Sequence, residues 1–410
     1  MKRHVIIGNG TAAVGCIEGI RSLNREDEIT VISKENHAVY SRPLISYYLE
    51  GKTDTERMRY RDADFYEKNG CKVYYGISAD HIDPDGKTVT LSDGTELGYD
   101  DICVAAGSSP FVPPMKGLET VEKKFGFMTL DDALALEKAL TKESKVLIVG
   151  AGLIGLKCAE GIRDRVGSIT VCDLADRVLS SILDQTCAAI VQEHLEENGI
   201  RFLLSDSVAE FAGNTAIMKS GAEVAFDVLV LAVGVRANIG LIKDIGGTVN
   251  RGIVVDQKME TSVPGIYAAG DCTEGYDASI GANRVLAILP NAYMQGRAAG
   301  INMAGGESIY DTGIPMNSVG FFGFHIMSAG SYDGECAEER DGRYLKRFFT
   351  KDDRLIGYML IGETGRAGIY TALIREKTRL STIDFELAKE RASSLIFSAD
   401  ARRKKFGGAV

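Results

Sequence analysis

Two stretches carry glycines at a spacing that can hold phosphate: Gly8-Asn9-Gly10-Thr11-Ala12-Ala13 and Gly150-Ala151-Gly152-Leu153-Ile154-Gly155. The first glycine of such a stretch permits a tight turn. The second leaves backbone N–H groups bare, so a pyrophosphate can rest on the start of a helix. The third position, Ala13 or Gly155, must be small so that helix and strand pack closely. A lone glycine triplet means little. Both of these follow a β-branched run and open a helical pattern, which reads as dinucleotide binding twice in one chain. A carboxylate past the second strand of such a unit chelates ribose hydroxyls. Asp173, 23 residues after Gly150, ends the run "SITVCD" and takes that role. It would repel a 2′-phosphate, so NADH is expected over NADPH, with Arg177 softening the preference. In the first unit Ser33 ends the strand, and ribose binding is assigned to Glu35. A third stretch, "TSVPGIYAAGDCTE" at 261–274, puts Gly270-Asp271 after a small-residue strand, where the aspartate can bond ribityl and pyrophosphate groups.

These residues need a frame. Strand, glycine turn, helix and strand recur at about 4–33 and 145–173. Residues 71–105 read as short strands with turns at "DPDG" and "SDGTE". "GSSPFVPPMKG", 107–117, holds three of the eight prolines and reads as an extended crossing between domains. "TLDDALALEKAL" is expected to be a helix, with Thr129 and Asp132 as a capping box. "DVLVLAVG", 227–234, is a buried strand. After about 310 the pattern changes: "RYLKRFFTKDDRLIGYMLIG" predicts a hairpin about "KDDR", helices follow to about Ser398, and the basic tail "ARRKKFGGAV" is expected to fray.

Bulk properties exclude several classes. At 410 residues, two to four domains are expected. A formal net charge of −10 argues against nucleic-acid binding. No run approaches a membrane span, and Val5-Ile6-Ile7 is too short for a signal-peptide core. A cytoplasmic protein with reduced cysteines is therefore expected. The 8 cysteines form no CxxC pair, the five histidines are scattered, and no metal site is expected.

"VIIGNGTAAVG", "VLIVGAGLIGLKCAE" and "TSVPGIYAAGDC" together resemble the FAD/NAD(P)-binding pyridine nucleotide–disulfide oxidoreductase superfamily over about 4–305. "VYSRPLISYYLEGK" and "PNAYMQGRAAGINMAGG" are similar to NADH:rubredoxin oxidoreductases and to the flavin-binding part of NADH-dependent nitrite reductases. The resemblance implies an α/β fold with two Rossmann-like domains, an NAD domain inserted in a split FAD domain, and an α+β C-terminal domain. The expected boundaries are 1–112 and 239–310 for FAD, 113–238 for NAD, and 311–410 for the last. It implies that Gly8, Gly10, Ala13, Glu35, Gly270 and Asp271 hold FAD, flanked by Ala106, Gly107, Pro290 and Ala292. Arg42 and Pro43 are expected near the flavin or its phosphates, with Tyr47 a further neighbour. Gly150, Gly152, Ile154, Gly155, Asp173 and Gly234 are expected around NADH.

The departures carry the functional reading. Disulfide reductases of this superfamily have cysteines near 40–50; this chain has none between Cys16 and Cys71. Related ferredoxin reductases place a lysine where Tyr47 follows Ser46. Without a protein thiol, hydride from NADH must reach FAD and leave it directly. A small iron–sulfur carrier of rubredoxin or ferredoxin type is the expected acceptor, steered by Arg57, Arg59, Arg61 and the "ARRKK" cluster. A flavoprotein subunit of a larger iron–sulfur complex and a cysteine-independent NADH oxidase are the alternatives. A homodimer stays open.

Overall fold

The computed structural model describes the backbone of residues 1–406 and side chains as far as Arg403. Its chain forms two compact units, residues 1–111 with 234–313 and residues 112–233 with 314–410. In the first, apolar runs with no polar alternation become a five-stranded parallel sheet. Its order is Ile266–Ala268, Asp101–Val104, Arg3–Ile7, Glu28–Ser33, Cys71–Tyr75. Continuous burial is what a parallel strand covered on both faces requires, and Val5, Ile6 and Ile7 are all buried.

The second unit repeats the plan. Its parallel sheet runs Ile200–Leu204, Ser168–Asp173, Lys145–Val149, Val228–Leu231, Lys124–Phe125. In each sheet the strand before the glycine turn is central, with the next strand on one side and a late strand on the other. That is the switch point at which open α/β sheets bind ligands. Each unit also carries a three-stranded antiparallel meander, within Ala79–Gly98 in the first and Val208–Ala225 in the second. The capping box forms: Thr129 Oγ1 accepts from Asp132 N–H at 3.0 Å, and Asp132 accepts from Thr129 N–H at 2.9 Å.

The helices Thr11–Arg21 and Leu289–Met303 of the first unit cross with their backbones in contact. A Cβ on Gly15 or Gly19 would lie 2.3 or 2.4 Å from the carbonyl oxygens of Tyr293 and Arg297. One on Gly296 or Gly300 would lie 1.9 or 2.1 Å from those of Ala12 and Cys16. Four glycines thus form the seam, because any side chain there would force the helices apart.

In the second unit, Met316–Phe321, Phe324–Gly330, Arg354–Ile361, Tyr344–Lys351 and Glu335–Asp341 form, in that order, an antiparallel sheet. The expected hairpin is present, and Asp352 and Asp353 both take positive φ in its two-residue turn. The helix Leu153–Ile162, which follows the second glycine turn, is tied to this sheet. Lys157 pairs with the buried Glu160 and donates to the Gly320 carbonyl at 3.2 Å; Glu160 accepts the Phe322 N–H at 2.6 Å. Arg347 pairs with Asp184, the N-cap of the helix Gln185–Glu197, and with Glu338 at 2.6 Å. The tail read as frayed is helical over Ala399–Phe406; residues 407–410 lie outside the described residues. Among the described residues no helix is long and apolar enough to cross a membrane.

Candidate functional site

The two glycine turns are built alike. Gly8 N–H donates to Ile32 O, and Gly150 N–H to Cys172 O, each at 2.8 Å. Gly8 and Gly150 have φ of 119° and 118°, and a Cβ on either would sit 2.1 or 2.2 Å from the carbonyl oxygen of Ala105 or Ala232. Only glycine fits there. At Gly10 and Gly152 the opposite holds: a Cβ would meet nothing within 4 Å. These are the N-cap positions of helices Thr11–Arg21 and Leu153–Ile162, and neither supplies a side-chain cap. The first N–H groups of each helix have no partner within the helix and need an acceptor from elsewhere. Ala13 is fully buried, and a Cβ on Gly155 would lie 2.0 Å from the Gly150 carbonyl oxygen, as the third position of each fingerprint demands. Ile154 lies on the first turn of the second helix.

Around the first turn the chain gathers charged groups. The Glu35 carboxylate accepts the Tyr40 hydroxyl at 2.6 Å and pairs with Arg42, which also donates to Tyr40 Oη at 3.2 Å. Burial pulls the Arg42 guanidinium down, but Tyr40, Glu35 and Asp271 together hold it above its ordinary value. Burial pushes the Asp271 carboxyl up, opposed by Arg42 and by a hydrogen bond from Ser108. Asp271 follows Gly270, whose φ is 86° and which lies between Ala12 and Ala292. Pro290 and Ala292 open the helix Leu289–Met303, and Ala106-Gly107 follow the strand Asp101–Val104. Glu35, Arg42 and Asp271 therefore form one charged set in the first unit. Pro43 is the N-cap of the helix Leu44–Leu49, which holds Tyr47; the Lys52 ammonium stands 5.8 Å from the Tyr47 ring.

In the second unit Asp173 stands beside its glycine turn. Its Oδ2 accepts Ala151 N–H at 2.7 Å and its Oδ1 accepts Ala175 N–H at 2.8 Å. Gly234, expected around NADH, opens the segment 234–313, and its carbonyl accepts Phe111 N–H at 2.9 Å. The strand Val235–Ala237 follows it and pairs with Ser108–Pro110.

Several contributors were invisible to motif reading. Asn9 accepts the Tyr66 hydroxyl at 2.5 Å and donates to His37 O at 3.3 Å, which ties the first glycine turn down. Gln295 and Ser108 both act on the Gly270-Asp271 turn. The expected basic rim is locally neutralised: Arg57 pairs with Asp54 at 3.4 Å, Arg59 with Glu56 at 3.8 Å, and Arg61 with Glu18 at 2.7 Å.

A bare helix start beside a carboxylate suits a diphosphate joined to ribose, and each unit offers such a start at a switch point, the first with Arg42 in addition. A family model described as pyridine nucleotide-disulphide oxidoreductase matches residues 2–296. The chain belongs to that family. It is 31% identical over 394 residues to the "NADH-dependent phenylglyoxylate dehydrogenase subunit epsilon" of Aromatoleum evansii, covering 93% of each chain. It is 28% identical over 329 residues to the "NADH-rubredoxin oxidoreductase" of Clostridium acetobutylicum, covering 80% of this chain and 82% of that one. Among solved structures, the covalent putidaredoxin reductase–putidaredoxin complex matches with a TM-score of 0.88 at 23% identity, over 96% and 97% of the two chains, which shows the fold. The protein is thus an FAD-dependent NADH oxidoreductase of the ferredoxin and rubredoxin reductase and NADH oxidase type.

Proposed function

We propose that the chain is an NADH:electron-carrier oxidoreductase that passes electrons from FAD to a small iron–sulfur protein of rubredoxin or ferredoxin type, without a protein thiol. The observation that carries this is the Ser41–Leu49 segment: it presents Arg42 paired to Glu35, and the chain has no cysteine between Cys16 and Cys71. In this reading residues 1–112 and 239–310 form the FAD domain, 113–238 the NAD domain and 311–410 a separate C-terminal domain, in a cytoplasmic enzyme.

FAD held by these residues would supply a flavin able to take hydride from NADH and to give up electrons singly or in pairs. The chain's own work is binding and orientation. Gly10 and the helix behind it receive the FAD pyrophosphate, Glu35 the ribose, and Asp271 the ribityl and phosphate end. Arg42, between Glu35 and Asp271 in charge, screens the carboxylates from the phosphates it also attracts. Gly152 and Asp173 do the same for NADH, and the Asp173 carboxylate disfavours a 2′-phosphate. No side chain is asked to move a proton.

Anaerobic addition of NADH, followed by rubredoxin, ferredoxin, oxygen or peroxide, tests the proposal through the flavin absorbance. Reoxidation by an iron–sulfur protein well above the oxygen and peroxide rates is expected. Bleaching by NADH with no acceleration by any iron–sulfur protein sinks it. A second reading, a flavoprotein subunit of a larger redox complex, is favoured by the 31% identity over 93% of both chains to a relative named as a dehydrogenase subunit.

A further inference from the structure

Gln295 is a buried glutamine with half of its amide unused. It is 1% exposed, in the helix Leu289–Met303. Its Oε1 accepts Gly270 N–H at 2.8 Å and lies 3.2 Å from the Thr273 hydroxyl. Its Nε2 has no hydrogen-bond partner among the described residues and packs against Gly275, where a Cβ would come within 2.5 Å of it. An orphaned buried amide donor is a standing cost, and an apolar side chain of that length would avoid it. The side chain's one polar service is to the turn Gly270–Thr273, whose own bonds are Thr273 N–H to Gly270 O at 3.0 Å and Thr273 Oγ1 to Gly270 O at 2.8 Å. Asp271 is inside that turn.

The oxygen reaches the one backbone N–H that fixes where the turn begins. Gly270 is confined from two further sides: a Cβ on it would meet Ala12 Cβ at 3.1 Å and Ala292 Cβ at 3.6 Å. Gln295 lies one helical turn beyond Asn291 and Ala292, so the same helix both crowds the turn and bonds it. The Asp271 carboxylate must be aimed by its backbone, because its side-chain partners, Ser108 and Arg42, belong to other segments.

We propose that Gln295 is a positioning residue for FAD: its amide oxygen sets the Gly270–Thr273 turn so that Asp271 faces the cofactor. The proposal rests on the assignment of Asp271 to FAD, and that assignment is tested separately. The holoprotein is compared in three variants, Gln295→Met, Gln295→Glu and Asp271→Ala. Two midpoints are read on heating, FAD release by flavin fluorescence and unfolding by far-ultraviolet circular dichroism, together with the FAD dissociation constant. Gln295→Met keeps the length and removes the acceptor. It is expected to weaken FAD about tenfold, the equivalent of about 1.4 kcal/mol, and to bring release ahead of unfolding. Gln295→Glu keeps an oxygen toward Gly270 N–H and is expected within about threefold of the parent, since protonation leaves a neutral isostere at this burial. If Gln295→Met leaves the dissociation constant unchanged, or if the methionine and glutamate variants lower both midpoints in step, Gln295 is only a core residue and the proposal is overturned. If Asp271→Ala binds FAD like the parent, the assignment beneath it fails.

Discussion

Gly8 and Gly10, two residues apart, are predicted to fail in opposite ways when each is changed to alanine. At Gly8 the backbone has φ of 119° and the added Cβ would lie 2.1 Å from the Ala105 carbonyl oxygen. Strain in that region costs about 1–2 kcal/mol, and a clash against backbone in a packed sheet adds about 1–3 kcal/mol. Gly8→Ala is therefore expected to lower the unfolding free energy by about 2–5 kcal/mol. At Gly10 the backbone is extended, φ −106° and ψ −165°, and the Cβ meets nothing within 4 Å. Alanine there gains about 0.4–1 kcal/mol from the unfolded chain and loses a similar amount as a poorer N-cap. The protein itself should hardly notice. The pyrophosphate should, because the new methyl fills the space through which it reaches the helix start. Losing one or two charge-assisted bonds of about 1.5–3 kcal/mol each predicts an FAD dissociation constant raised by about tenfold at the least and about twenty-thousandfold at the most. Isothermal titration of FAD into deflavoprotein, beside urea unfolding of the same samples, separates the two. A Gly10→Ala protein that binds FAD within twofold of the parent, or that loses stability as Gly8→Ala does, refutes the reasoning.

Asp173→Ala should narrow the preference for NADH over NADPH by about tenfold or more, read as kcat/KM for each; an unchanged ratio means the carboxylate does not face the 2′ position. Native-state alkylation should reach the exposed Cys336 first, since Cys71 is half-buried, the other thiols are buried, and burial pushes Cys71 up to about 11 and Cys172 and Cys272 up to about 12. The rate of flavin reduction by NADH should not change with label; inhibition in proportion to labelling would restore a thiol to the mechanism. His4 is fully buried between Asp27 at 3.1 Å and Asp101 at 3.5 Å, with Lys2 also on Asp101, and burial holds its pKa below 6.5. The unfolded chain takes up a proton there that the fold refuses, so stability is complete above 6.5 and falls as pH drops below it, by at most about 1.4 kcal/mol per pH unit. Unfolding curves from pH 7 to 5 should show this loss and His4→Gln should lack it; the same slope in both would assign the loss elsewhere.

The parallel sheets were legible because Val5-Ile6-Ile7 and Val146–Val149 are apolar without alternation and end in glycines that no other residue could replace. The Thr129–Asp132 box was legible because both bonds are local. Met316–Phe321 and Phe324–Gly330 were not, since "MNSVGFFGFHIMSAG" mixes small, polar and aromatic residues in no clear period, and only the neighbouring strand Arg354–Ile361 fixes their pairing. In the site, Gly10, Gly152 and Asp173 sit in short motifs with fixed offsets. Gln295 and Asn9 do not: their partners, Gly270 and Tyr66, lie 25 and 57 residues away, and nothing in a glutamine or asparagine announces such a distance. The ion pairs of the expected basic rim were legible only in part. Arg57 and Arg59 have their acids within the same stretch, but Arg61 finds Glu18 across 43 residues.

The glycine seam between Thr11–Arg21 and Leu289–Met303 has a consequence for how the chain is made. The two helices touch backbone to backbone, so neither can be finished by a substitute surface. At about 5–20 residues per second, a ribosome needs on the order of tens of seconds to travel from one to the other. During that interval the partner of the glycine face has yet to be made, while residues 112–233 are synthesised. In order of synthesis, the face of Gly15 and Gly19 is thus among the last in the first unit to meet its partner.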